Sequence, residues 1–256
     1  MFKKAAVLAV SCGALLAGCG TEAQVESEQI VSNLIEAGFP ADDIQVVDNA
    51  VYVGRDAHVT LEASFEMLQP GKESAEQYRT TNLVSSSVTK ICVNPTSTFN
   101  RYTRLSQGLD LAIENYNSLG LSFVLVRGTA ADCDATITAK TAGGTGGSAG
   151  FPSGGLPYGT INIGTGLDRY SVDVNEHVIS HELGHCIGFR HSDYYNRAIS
   201  CGGSASNEGD AGIGAILIPG TPSTAIVGGS VMNSCFRSTE SGEWTSSDRT
   251  ALTTLY

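Results

Sequence analysis

The sequence predicts an α+β fold: a twisted mixed sheet with a backing helix and a second, histidine-bearing helix, followed by a loop-rich lower part that ends in a C-terminal helix. Three observations carry this. From about Val84 onward, β-branched runs and one long amphipathic stretch follow each other in the order strand, helix, strand, strand. A second helical stretch carries Ile179, Leu183 and Ile187 every four residues, on a face roughly opposite its histidines. After His191 the chain is rich in turn residues and loses periodicity until its last eleven or so residues.

Taken in order, residues 1–18 read as an export signal. Lys3 and Lys4 precede an apolar run from Ala5 to Ala17 that is too short to span a bilayer as a mature helix. Its end, Leu15-Leu16-Ala17-Gly18-Cys19, resembles a bacterial lipobox, which implies cleavage before Cys19 and lipidation of that residue; an ordinary signal with a coincidental cysteine is the alternative. Gly20, not aspartate, follows, so the resemblance implies an outer-membrane lipoprotein. Periplasmic and cell-surface facing, and release after processing, all stay open.

Residues 19–83 read as a pro-segment and linker. A helix is expected over Val25–Ala37, with Ile30, Val31, Leu34 and Ile35 as its apolar stripe and Gly38-Phe39-Pro40 as its stop. Val46-Val47 and Val51-Tyr52-Val53 then read as strands across an Asp48-Asn49 turn.

Residues 84–256 read as the main domain, with an upper part over 84–188 and a lower part over 189–256. Lys90–Val93 is a strand, Thr103–Leu119 a helix with Leu105, Leu109, Ala112, Ile113 and Tyr116 on one face, and Leu121–Val126 and Ala135–Ala139 are further strands. Ala142–Gly150 is too glycine-rich for a core element and is expected to be a mobile loop. The strand-like Thr160–Ile163 follows Ser153–Gly159, whose proline and glycines suit an exposed edge. Ser246–Tyr256 gives a short helix capped by serine.

The chemistry lies in His181-Glu182-Leu183-Gly184-His185-Cys186-Ile187-Gly188-Phe189-Arg190-His191. Residues four apart share a helix face, so His181 and His185 can offer two nitrogens to one ion while Glu182 projects beside them. A tetrahedral zinc with three protein ligands keeps one position open; the third ligand, His191, lies six positions on and must return from beyond the helix. Gly188 lets the chain leave the helix there. Asp173 and Glu176 have the spacing of a capping box at its start. Glu182 is placed to act as general base toward a zinc-activated water.

With Met232 in Ser230-Val231-Met232-Asn233 downstream, these residues resemble the metzincin clan of zincin-type peptidases, and within it the myxobacterial protease B family, also called dual-action HEIGH metallopeptidases. The resemblance runs from about Tyr78 to the C-terminus and more weakly into the preceding segment. It implies one catalytic zinc, a peptide-bond-cleaving endopeptidase of protein or peptide substrates, Met232 as an apolar floor beneath the metal, and substrate held as an added strand at the sheet edge, for which Ser153–Ile163 is the candidate. The C-terminal helix would pack beneath the Met232 turn. His191 is followed by Ser192, as in matrixins; Ser234 stands where some metzincins have a tyrosine, so no tyrosine acts from that position. Tyr194 and Tyr195 read as loop packing. Primed-side pocket walls are expected in Gly212–Gly229. In astacins a pro-segment aspartate near a glycine ligates the metal, and Gly54-Arg55-Asp56 invites the comparison, with different spacing; Asp56 is either a latency ligand or a surface aspartate in a turn. Rival readings are a non-catalytic zinc-containing surface binding module, a structural zinc closed by Cys186 or Cys235, and a peptidoglycan-crosslink hydrolase. Acidic loops leave calcium possible, with no motif that indicates it.

With Cys12 in the signal and Cys19 lipidated, Cys92, Cys133, Cys186, Cys201 and Cys235 remain, an odd set suited to an oxidising compartment. Cys92–Cys133 is the favoured pair and Cys201–Cys235 the second, with Cys186 buried on the helix. A net charge of −11 and the lack of a basic cluster disfavour nucleic acid and anionic lipid; the membrane is met only through the lipid anchor, and a monomer is expected.

Overall fold

Short runs, several of them rich in valine or isoleucine, build one 8-stranded sheet in the order β1 (Gln45–Val47), β2 (Ala50–Val53), β3 (Ala57–Val59), β8 (Gly147–Gly150), β9 (Thr160–Gly164), β7 (Ala135–Ala142), β5 (Lys90–Pro95), β6 (Val124–Arg127). The computed structural model describes residues 22–37, 39, 41, 44–68, 77–209, 215–222 and 224–256; the signal stretch, Cys19, Gly38, Pro40 and Gly212 lie outside them. Helix α1 (Glu22–Glu36) buries Ile30 and Leu34, half-buries Val31, and leaves Ile35 exposed. Strands β1 (Gln45–Val47) and β2 (Ala50–Val53) form a hairpin whose tip residues, Asp48 and Asn49, both have positive φ, the backbone twist a two-residue turn of this kind needs. Strand β3 (Ala57–Val59) pairs back on β2, and α2 (Leu61–Met67) follows. These elements share a small core of Ile30, Leu34, Phe39, Val51, Val53 and Phe151.

The larger core lies between the sheet and two long helices. Strands β5 (Lys90–Pro95), β6 (Val124–Arg127), β7 (Ala135–Ala142) and β9 (Thr160–Gly164) are parallel, and β8 (Gly147–Gly150) runs antiparallel to β9. Helix α3 (Thr103–Asn117) buries Leu105, Leu109, Ala112, Ile113 and Tyr116, the face its periodicity predicts. It packs on α4 (Val172–Cys186), which is buried along nearly all its length. The lower part holds α5 (Ala198–Cys201), β10 (Ile216–Leu217) paired with β4 (Tyr78–Arg79), and α6 (Ser246–Leu255). As expected, α6 supports the methionine turn: Asp248 accepts hydrogen bonds from the Ser230 hydroxyl and the Val231 N–H.

Several expectations need correction. The Ala142–Gly150 stretch is no loop throughout; it contains β8, an inner strand of the sheet. Its glycines answer to close approach: a Cβ on Gly147 would stand 2.3 Å from Glu182 Oε1. Thr160–Gly164 is accordingly not an exposed edge but lies between β8 and β7. The strand expected at Leu121–Val126 forms only from Val124. Helix α4 is capped by Ser171, whose hydroxyl accepts from Val174 N–H, so Asp173 and Glu176 form no capping box. Helix α6 is capped by Thr245, not a serine, with Asp248 completing a true capping box.

The disulfides Cys92–Cys133 and Cys201–Cys235 form, and Cys186 is a buried free thiol.

Candidate metal centre

Helix α4 delivers His181 and His185 to one face, one turn apart. The chain leaves the helix at Gly188, where φ is +110° and a Cβ would stand 2.6 Å from the Asn82 carbonyl oxygen, so only glycine fits. His191 then returns beside the first two rings, with its Nε2 3.2 Å from His181 Nε2.

Each imidazole is oriented through its other nitrogen. Nδ1 of His181 lies 2.8 Å from the Val231 carbonyl oxygen, Nδ1 of His185 2.8 Å from that of Phe189, and Nδ1 of His191 2.7 Å from Glu208 Oε1. Each of these partners is an acceptor, so each Nδ1 is placed to donate its hydrogen there and, with an ion bound, each Nε2 would offer its lone pair; Arg197 Nη1 also lies 3.3 Å from His191 Nδ1. The 3.2 Å between two Nε2 atoms requires a cation there, either a proton on one ring or a metal ion shared by both.

Asp56 enters the same cluster from the turn between β2 and β3. Its Oδ2 is 3.1 Å from His191 Nε2 and 3.9 Å from His181 Nε2, and its Oδ1 is 3.8 Å from His185 Nε2. One ligand atom from each of Asp56, His181, His185 and His191 lies within 4.8 Å of the others. His185 Nε2 and Asp56 Oδ1 are buried without a hydrogen-bond partner, which costs free energy unless an ion satisfies them. Three imidazoles and a carboxylate at this spacing fit zinc.

Electrostatics of these groups reflect crowding. Burial, then the neighbouring rings, push His181 well below the ordinary histidine range and His185 down to about 4. Burial acts the same way on His191, but Asp56 and Glu208 outweigh it and raise its pKa to about 10. Burial opposes the charge of Asp56, yet His191 above all holds its carboxyl below the usual range. Glu182 faces the opposite balance: burial, then the Asp56 charge, push its carboxyl well above the carboxylate range.

Glu182 lies against β8 and lines a cavity of about 340 Å³ that also touches Asp56, His177, Val178, Ser234 and Phe236. The walls of this cavity therefore come from α4, the β8 region, the turn holding Asp56 and the chain after Met232. The expected Gly212–Gly229 wall is not among them: its described residues border a different hollow, beside Gln77 and Ser230. Met232 sits under α4, where a Cβ on Gly184 would stand 2.6 Å from its sulfur. Ser234 donates to Asp193, and Tyr194 stacks edge-on against Tyr78, the packing role expected of it. Glu208 escaped the sequence reading, because an acidic residue in a glycine- and serine-rich stretch carries no spacing signal relative to the histidines.

Residues 51–256 match the model of a family described as dual-action HEIGH metallo-peptidase. No curated protein matches the chain. Among solved structures, high choriolytic enzyme 1, a hatching enzyme zinc-protease from the medaka fish Oryzias latipes, is similar at 18% identity and TM-score 0.30 over 44% of this chain; the match spans 50% of that chain. Two structures of myroilysin are similar at 16% and 14% identity, with TM-scores of 0.41 and 0.38; they cover 68% and 66% of this chain and 97% and 82% of theirs. The match over 51–256 takes in both the histidine motif and Asp56, and on it the chain belongs to the dual-action HEIGH metallo-peptidase family, with zinc the ion its histidines fit.

Proposed function

We propose that this zinc metallopeptidase is an exported, lipid-anchored endopeptidase acting on protein or peptide substrates, made as a latent precursor in which Asp56 occupies the metal site. The observation that carries the reading is the approach of Asp56, from the segment ahead of residue 84, to all three imidazole Nε2 atoms. A second supports it: β3 runs beside β8, pairing Ala57 with Ala149 and His58 with Gly150, so the same segment covers the sheet edge next to Glu182. An extended substrate would need that edge. Export and anchoring rest on Lys3, Lys4, the apolar run and Cys19 alone.

When bound, zinc would polarise a scissile carbonyl and acidify water. His181, His185 and His191 hold it. Glu182, next to His181 on α4 and lining the same cavity, is the carboxylate that would accept a proton from the attacking water and pass it to the leaving amine. Gly147 in β8 leaves the room that this carboxylate occupies, and Met232 packs under α4 at Gly184.

The test is digestion of a peptide library by the full chain, with muropeptides as a second substrate set. Asp56→Ala is expected to cleave peptides where the unaltered precursor does not; an Asp56→Ala precursor that stays fully latent would remove Asp56 from this role. Glu182→Ala in the active form is expected to keep zinc and lose cleavage by about 10²–10⁴-fold. Undiminished turnover would remove Glu182. Release of crosslinked muropeptides in place of peptide cleavage would redirect the reading to a cell-wall hydrolase. For the anchor, Cys19→Ser is expected to abolish incorporation of labelled fatty acid.

A further inference from the structure

We infer that Glu208 is the positioning residue of the third zinc ligand, setting the orientation and donor strength of the His191 imidazole. This rests on the three-histidine zinc site and adds to it a residue outside the motif. The three histidines are not held alike. His181 and His185 ride on one helix and lean on neutral backbone carbonyls, whereas His191 lies beyond the helix and meets a carboxylate. A ligand without helical neighbours to align it needs another anchor, and a charged acceptor on Nδ1 also raises electron density at Nε2.

The carboxylate is itself fixed on every side. Glu208 is 1% exposed. Arg190 reaches its Oε2 at 3.3 Å, and Arg197 donates to its Oε1. The Glu208 N–H donates to the Tyr194 carbonyl at 2.8 Å, and Arg190 also donates to the Gly209 carbonyl. The Arg190 guanidinium is stacked between the rings of Phe39 and Tyr194, 4.7 and 5.2 Å from their centroids. Two guanidinium groups lie against the buried Glu208 carboxyl group, whose Oε1 faces His191 Nδ1. The structure thus extends the metal site by a relay from the arginine pair through Glu208 to His191.

The experiment uses the full chain. Zinc dissociation constants are measured by chelator competition for the unaltered protein and for Glu208→Gln, which keeps the shape and removes the charge. The cobalt-substituted forms are compared by their visible d–d bands. The expected result is a loss of zinc affinity of about 10–100-fold with shifted cobalt bands. A folded Glu208→Gln that binds zinc within about twofold of the unaltered chain, with the same cobalt spectrum, would overturn the inference. Should the variant fail to fold, nitrogen-correlated NMR of the zinc-loaded unaltered chain decides: a His191 Nδ1 proton further downfield than those of His181 and His185 supports the role, and an Nε2–H tautomer or an undistinguished Nδ1 proton refutes it. An unaltered chain that binds no zinc would instead overturn the metal site itself, and is told apart by the first measurement.

Discussion

Gly147 and Glu182 touch so closely that any side chain at 147 would occupy the place of the carboxylate: an added Cβ would be 2.3 Å from Oε1 and 2.6 Å from the carboxyl carbon. Gly147→Ala is therefore expected to displace Glu182 without touching a zinc ligand. Cleavage by the active form should fall by at least about 100-fold, in the range of losing a general base, while zinc stoichiometry stays unchanged. Steady-state kinetics with metal analysis on the same sample checks this; a variant of normal kcat would show that Glu182 is free to move.

Phe39 joins the leading segment to the main domain. It is buried, and its ring lies 4.7 Å from the Arg190 guanidinium carbon. Phe39→Ala removes both the burial and the cation–π contact, a loss of about 3–5 kcal/mol if the site does not collapse. The full chain should melt at lower temperature and, if it is latent as proposed above, should leak activity. Calorimetry and a precursor cleavage assay read the two effects; a variant as stable and as silent as the original would mean that Phe39 contributes nothing to docking.

Glu176 stands one position before His177 on α4, buried against Asn115 and the Gly242 backbone. Burial first, then Glu243, Asp173 and Glu114, raise its pKa from 4.5 to about 7. Its folded pKa is above its unfolded one, so the folded state keeps a proton that the unfolded chain releases. The stabilisation is full below about pH 4.5 and is lost as pH rises through about 7. Glu176→Gln should melt above the unaltered protein at pH 8 and near it at pH 5, with a difference of at most about 3 kcal/mol. Melting curves at the two pH values that do not diverge would assign the raised pKa no role in stability.

Cys201 and Cys235 tie α5 to the chain just after Met232. Replacing both by serine should lower stability by about 2–4 kcal/mol, since the unfolded chain regains the freedom the bond removes. Denaturant titration under non-reducing conditions checks this, and an unchanged midpoint would mean the native bond is offset by strain.

What the sequence disclosed followed from periodicity and spacing. Leu105, Leu109, Ala112, Ile113 and Tyr116 marked the buried face of α3, and His181, His185 and His191, with Gly188 as the exit from the helix, marked the cluster of imidazoles, because helix geometry converts spacing directly into direction. Hairpin β1–β2 was legible through Asp48-Asn49 for the same kind of reason. Strand β8 was not, since a glycine strand is chosen by what presses on it and not by its own propensity. Nor was Glu208, whose contact with His191 depends on the path of an irregular loop. Local competition defeated the capping boundaries: Ser171 and Thr245 lie beside plausible rivals, and only the backbone decides between them.

The seam between β3 and β8 is short, with Ala57 opposite Ala149 and His58 opposite Gly150. Removal of the chain ahead of Gln77 would strip that rim of its neighbour and leave main-chain donors and acceptors facing solvent. Glycine-rich and nearly flat to approach, the rim would then invite any extended polypeptide, including a second enzyme molecule. A chain lacking the residues ahead of Gln77 should accordingly self-associate or digest itself when concentrated without substrate, whereas the full chain, with its rim sheathed by β3, should store well.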